Sequence, residues 1–183
     1  MSKVVYQDHL PTGEKIIIRY PEKEDVQAFL DFINELSKEE TFILFQGKQL
    51  TFDEEKTFVE NALKAIEGKK QIFLSLWVDD HLAGNTGIEM KSDAIAHEGL
   101  FGIALRASYR GKGLGKLLMK TVMEEAEKEI TNLRIVTLSV FGENTLARDI
   151  YRKFGFKEYG WLPEGVFRKG KYDDHIFMYK KIR

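Results

Sequence analysis

The chain has 183 residues, of which 43% are hydrophobic and 31% charged; it carries a formal net charge of −1 and no cysteine. A chain of this length buries roughly 70% of its unfolded surface, so a single domain over 1–183, with a core from about 16 to 181, needs neither disulfides nor metal to fold. The missing cysteines exclude disulfides, thiol nucleophiles and thiolate metal sites. The near-neutral charge argues against broad binding to nucleic acid or anionic membrane. No leader-like segment and no run of 18 apolar residues is present, so the expected compartment is the cytoplasm, with no membrane partner.

The first expected element is a short strand at Ile16, Ile17 and Ile18, closed by Pro21. Val26, Phe29, Leu30 and Ile33 then recur at i, i+3, i+4 and i+7, one apolar face of a helix. A second helix is announced by Thr51 and Glu54 at capping-box spacing, and its apolar face is Val59, Ala62, Leu63 and Ile66. Gln71 to Val78 is rich in β-branched and aromatic residues; Asp79-Asp80 turns the chain, and Leu82 to Met90 returns as a hairpin. Gly99 to Leu105 is a further strand, followed by a glycine-rich turn at 111–115 and a long helix to about Ile130. Leu133 to Val140 reads as a strand, Asn144 to Phe154 as a helix stopped by Gly155, and Phe156 to Leu162 with His175 to Lys181 as a last strand pair. The fold class is α/β (mixed α+β), with an open mixed central sheet of about six or seven strands and helices on both faces.

The chemistry concentrates at Arg110-Gly111-Lys112-Gly113-Leu114-Gly115, between a strand and an amphipathic helix. Glycines there let the backbone turn sharply and approach a ligand closely. The free amides and dipole of the helix start favour an anion. Arg106, Arg110, Lys112 and Lys116 crowd the same turn and suit a diphosphate. A Walker loop requires Ser or Thr where Leu117 stands, and the dinucleotide fingerprint requires glycine where Lys116 stands. A ligand-free glycine turn is the plain alternative.

Arg110-x-x-Gly113-x-Gly115 resembles the [RQ]-x-x-G-x-[GA] signature of the GCN5-related N-acetyltransferase (GNAT) family. Gly102-Ile103-Ala104-Leu105 is similar to the strand that precedes it, although Ala107 stands where that family usually has proline. Asn144, Ala147, Tyr151, Gly155 and Phe156 resemble the family's N-x-x-A-x-x-x-Y-x-x-x-G-F helix, and Leu82-Ala83-Gly84-Asn85 its hairpin strand. The likeness runs over roughly residues 16 to 181. It implies a sheet splayed between the fourth and fifth strands counted above, Gly99–Leu105 and Leu133–Val140, where a pantetheine arm enters. It further implies acetyl-CoA as co-substrate without metal and a primary amine as acceptor, on a small molecule or a peptide. The nearest flavour is the ribosomal-protein-alanine and small-amine branch, where homodimers are a habit.

By the same resemblance, the residues holding coenzyme A are Ile103, Leu105, Arg110, Gly111, Lys112, Gly113, Leu114, Gly115, Lys116, Asn144 and Arg148, and Tyr151 reaches the sulfur. Asn144, Ala147, Arg148 and Tyr151 fall on one helical stripe, free to line a cleft, while Leu146, Ile150 and Phe154 fall on a neighbouring stripe expected in the core. A phenol has an ordinary pKa of ~10 and a thiol ~8.5, so protonation of the leaving thiolate is modestly uphill. The attacking amine must be neutral, which calls for a base: Glu98 first, then Glu89 or His97, against the plain reading of solvated side chains. Gly160 to Asp174, with Trp161, Glu164, Phe167, Tyr172 and Asp173, is either an acceptor-binding segment or a hairpin turning at Lys169-Gly170-Lys171. Phe42, Phe45 and Phe52 either wall the acceptor site or pack into the core. The competing functions are a non-catalytic acyl-CoA sensor of the same fold and a nucleotide-binding transferase.

Overall fold

The computed structural model describes residues 2–183. One eight-stranded sheet runs in the order β1-β2-β3-β4-β5-β6-β8-β7. Its strands are β1 (Val4–His9), β2 (Lys15–Arg19), β3 (Gln71–Val78), β4 (His81–Met90), β5 (Glu98–Leu105), β6 (Ile135–Phe141), β7 (Lys157–Arg168) and β8 (Lys171–Lys181). The helices are α1 (Val26–Glu39), α2 (Phe52–Glu67), α3 (Leu114–Glu129) and α4 (Thr145–Lys153). All neighbouring strands pair antiparallel except β5 and β6.

β3 shows why the sheet is covered on both faces. Ile72, Leu74, Leu76 and Val78 point to one side and join a core with Leu118, Met119 and Val122 of α3. Phe73 points to the other and joins Phe29, Phe32 and Leu36 of α1 and Val59 and Ala62 of α2. A strand buried on both faces reads as a continuous apolar run rather than an alternating one. The α2 start forms the expected reciprocal cap: the Glu54 amide donates to Thr51 Oγ1 at 3.3 Å, and the Thr51 amide to Glu54 Oε2 at 2.8 Å.

Four sequence expectations change. β1 adds a strand to the expected six or seven, so the two splayed strands become the fifth and sixth. It is an edge strand with no fully buried residue, and so carries no alternation to read. In α1 the core stripe is Val26, Phe29, Phe32 and Leu36; Leu30 and Ile33 lie at its border, half-buried. In α4, Leu146 is 74% exposed, and Ala147, Ile150, Tyr151 and Phe154 share the inward face. On a nine-residue helix and its C-cap, Phe154, those four, at i, i+3, i+4 and i+7, form one complete apolar stripe and leave no room for a second. Phe45 and Phe52 are exposed rather than core.

Candidate active site

β5 and β6 pair in register at three positions only: Glu98 with Ile135, Gly99 with Val136, and Leu100 with Thr137. Beyond Leu100 the two strands part. β6 stays bonded to β8 as far as Phe141, and β5 stays bonded to β4 as far as Leu105. The inner edge of residues 101–105, including Ile103, therefore faces a gap instead of a neighbouring strand. Such a gap leaves backbone donors and acceptors available to an extended ligand, because unpaired buried peptide groups need a partner.

The glycine turn sits at the open end of that gap. Gly111 and Gly113 have φ of +76° and +80°, a left-handed conformation that glycine adopts without penalty. Gly113 caps α3, whose own bonds start with the Lys116 and Leu117 amides reaching back to the Gly113 carbonyl at 3.1 Å each. Among the described residues, no protein acceptor takes the amides of Gly111, Lys112, Gly113, Leu114 or Gly115. The space where side chains at 111 and 113 would lie is open, with no protein atom within 4 Å. Five free amides at the positive end of a 16-residue helix make an anion cradle. Lys112 lies over the Tyr109 ring at 5.4 Å, and Lys116 is exposed on the first turn of α3.

The arginines of this turn are engaged with protein. Arg110 Nε donates to the Leu105 carbonyl at 2.9 Å, and its Nη2 pairs with Glu39 at 2.8 Å. Arg106 bonds the Leu82 carbonyl and pairs with Glu35. Glu35 and Glu39 are one helical turn apart on α1, so the two ion pairs tie the turn to the end of that helix. Arg110 thus buttresses the cradle, and the Leu105 carbonyl is already occupied.

α4 covers the gap from the α3 side. Its first turn is capped by Asn144, whose Oδ1 accepts from the Ala147 amide at 3.2 Å. Arg148 is turned away from the gap, bonding Glu158 at 3.1 Å and the Gly142 carbonyl at 3.1 Å. Tyr151 packs edge-to-face on Phe101 at 6.0 Å and lies 6.1 Å from Phe156. Phe101 is the first residue of β5 beyond its last pair with β6, so the phenol ring sits where the strands separate. Burial alone pushes the Tyr151 hydroxyl up to about 12, with no charged or hydrogen-bonding partner contributing.

Glu98 lies at the closed end, in the first β5–β6 pair, and is held by Lys91 at 2.8 Å. Three residue steps along the strand, roughly 10 Å, separate it from Phe101. Glu89 faces the α1/α2 side opposite Leu100, and His97 is exposed just before β5. Tyr151 is therefore brought to the parting point, and Glu98 is not. Among the described residues no group of three or more His, Asp or Glu side chains is arranged to hold a metal ion.

Residues 30–156 match the family model for the acetyltransferase (GNAT) family. The chain belongs to that family. It is 28% identical over 102 residues to the L-amino acid N-acetyltransferase AaaT of Escherichia coli, a match covering 55% of this chain and 62% of that one. It is 32% identical over 103 residues to a putative ribosomal protein bS18-alanine N-acetyltransferase of Bacillus subtilis, covering 56% and 61%. The matched stretches thus span about three-fifths of these relatives' length. Among solved structures, a GNAT-family acetyltransferase from Streptococcus pneumoniae superposes with a TM-score of 0.83 at 28% identity, over 92% of this chain and 99% of that one. A putative acetyltransferase from Salmonella typhimurium, yncA, solved with acetyl-CoA, superposes at 0.79 with 17% identity, over 92% and 94%, and shares the fold.

Within this GNAT domain, the α1/α2 side of the splay is partly roofed by the segment between those helices. Phe42 from that segment packs on Phe141 of β6 at 5.9 Å, with the Arg168 guanidinium 4.2 Å above its ring. The stretch from Gly160 to Asp174 forms two arms of a hairpin turning at Lys169 and Gly170. Trp161 is 66% exposed, Phe167 and Tyr172 pair at 5.1 Å, and the Asp173 carboxylate accepts the Glu143 amide at 3.1 Å. One acid on this side escaped the sequence reading. Glu55 of α2 is 4% exposed, on the same helical face as Val59 and Ala62. Its signal was present: a carboxylate at i on an apolar stripe continued at i+4 and i+7.

Proposed function

We propose that this GNAT protein is an N-acetyltransferase that moves the acetyl group of acetyl-CoA onto a primary amine by direct attack in a ternary complex. One observation carries the reading: Tyr151, whose buried hydroxyl has no partner among the described residues, packs its ring on Phe101, where β5 leaves β6. The free amides of 111–115, with Lys112 and Lys116, are assigned to the diphosphate, and the unpaired edge of β5 around Ile103 to the pantetheine amides. Bound acetyl-CoA supplies an acyl carbon activated by its thioester. As the C–N bond forms and the C–S bond breaks, negative charge gathers on sulfur, and the Tyr151 hydroxyl donates a hydrogen bond to it. Much of the rate then comes from holding amine and thioester together. The base is not assigned to Glu98, whose carboxylate is committed to Lys91. The amine acceptors named for relatives, including L-amino acids, a ribosomal-protein alanine and spermidine, support an amine here.

Among the described residues no helix is long and apolar enough to cross a membrane, and a cytoplasmic site of action belongs to the same proposal. The test is coenzyme A release with a panel of primary amines, alongside competition binding of acetyl-CoA against ATP and NAD. Turnover with at least one amine, and displacement of acetyl-CoA by neither nucleotide, is the expected result. Tight acetyl-CoA binding with no turnover would instead favour the acyl-CoA sensor.

A further inference from the structure

Glu55 is a costly residue to keep where it is. It is 4% exposed, and its carboxylate has no hydrogen-bond or ion-pair partner among the described residues. Along the same face of α2, Val59 and Ala62 pack into the apolar core formed with Phe29, Phe32 and Phe73. An unpaired carboxylate in such surroundings destabilises a fold, and an apolar side chain of similar size would remove the penalty. The helix dipole does not explain it, because Asp53 and Glu54 already supply exposed acids in the first turn of α2. Nor is the carboxylate sealed off. The sealed, unpartnered side-chain oxygens of the described residues are Glu14 Oε2 and Gln46 Oε1, and neither oxygen of Glu55 is among them. It therefore keeps a narrow contact with solvent.

α2 covers the same side of the sheet that Gly102 faces beside the splay. Gly102 of β5 lies opposite Gly87, whose missing side chain would meet the Phe73 ring, so both glycines face α1 and α2. Phe73 fills the space over Gly87, whereas nothing stands within 4 Å of the position a side chain at Gly102 would take. The floor is thus bare beside the parted strands, and α2 presents one buried acid toward the same layer. A lone carboxylate is too small a donor set for a metal ion, but it matches an organic ammonium.

Resting on the N-acetyltransferase reading, we propose that Glu55 binds the cationic amine of the acceptor, which makes the substrate class a protonated amine entering from the α1/α2 side. Burial alone pushes the Glu55 carboxyl up to about 7, and an incoming ammonium supplies the counter-charge that the fold withholds. The role of Glu55 is binding: transfer of the proton from an amine of ordinary pKa ~10.4 to a carboxyl near 7 is uphill by ~3 units.

The experiment compares wild type with Glu55→Gln and Glu55→Leu at pH 8, each loaded with coenzyme A and titrated calorimetrically with spermidine, butylamine and L-alaninamide. Binding to the loaded protein needs no turnover, so it separates this proposal from the reading it rests on. Wild type should bind at least one of the three amines. Both variants should bind it roughly tenfold or more weakly, with unchanged affinity for coenzyme A and a raised Tm. In steady state, KM for the amine should rise while KM for acetyl-CoA stays fixed. Equal amine affinity in wild type and Glu55→Gln, failure of the loaded wild type to bind any of the three amines, or a lowered Tm in both variants would overturn the assignment. Amine binding that is lost in the variants, in a wild type that never turns over, would keep Glu55 as the ammonium site and defeat only the catalytic reading.

Discussion

Replacing Tyr151 with Phe tests the chemistry at its centre. The ring contacts with Phe101 and Phe156 survive, so the variant should fold. What it loses is one hydroxyl, and the structure sets how much that costs. With the phenol pushed up to about 12 and a thiol near ~8.5, full proton transfer to the leaving thiolate is uphill by about 3.5 units, or ~5 kcal/mol. That is steeper than the gap of ~1.5 units expected for an ordinary tyrosine, so complete protonation by Tyr151 is disfavoured. Its role is then a hydrogen bond to developing charge, about 1.5–3 kcal/mol. The expected loss is ~10–150-fold in kcat, with little change in affinity for coenzyme A. The assay is coenzyme A release at saturating acetyl-CoA and amine, followed with a thiol-reactive chromophore. A kcat within twofold of wild type would remove Tyr151 from the mechanism. A loss of ~10⁴-fold or more would refute the hydrogen-bond argument and demand complete proton transfer.

Three further outcomes are expected. Gly113→Glu places bulk and negative charge in the anion cradle; affinity for coenzyme A by calorimetry should fall at least ~10-fold, whereas Gly113→Ala carries only the backbone penalty of φ +80°, about 1–2 kcal/mol of stability. Asn144→Ala deletes the α4 cap to the Ala147 amide and should cost about 1 kcal/mol in urea unfolding. For pH dependence, the folded Glu55 carboxyl lies near 7 against an ordinary 4.5. The native state then holds this proton more tightly than the unfolded one, so the stability tied to it is present below about 4.5 and is lost as pH rises through about 7. Wild type should therefore lose stability relative to Glu55→Gln over that interval in denaturant titrations, and parallel curves would contradict the burial argument.

Features fixed by local backbone needs were readable from the chain alone. The Thr51–Glu54 cap, the glycine turn at 111–115 and the stop at Gly155 each require particular residues at fixed short spacings, because only those types satisfy the local geometry. The β3 run and the face of α3 were legible for the same reason, since burial repeats with the period of the element. Long charged side chains were not. Arg106 and Arg110 found Glu35 and Glu39, each 71 positions away, and Arg148 turned to Glu158, so two of the four cations beside the phosphate cradle proved to be spoken for. No spacing rule reaches across such a distance, because the flexible stem lets a guanidinium choose among any acids the fold brings near.

From the linear chain came the glycine turn, the tyrosine helix and the order of elements that make this a GNAT domain, since each is dictated within a few residues of itself. The place where β5 leaves β6, the seating of Tyr151 against Phe101, and the inward turn of Glu55 were settled only by packing. Those depend on which distant segments share a layer, and the backbone's local preferences carry no record of that choice.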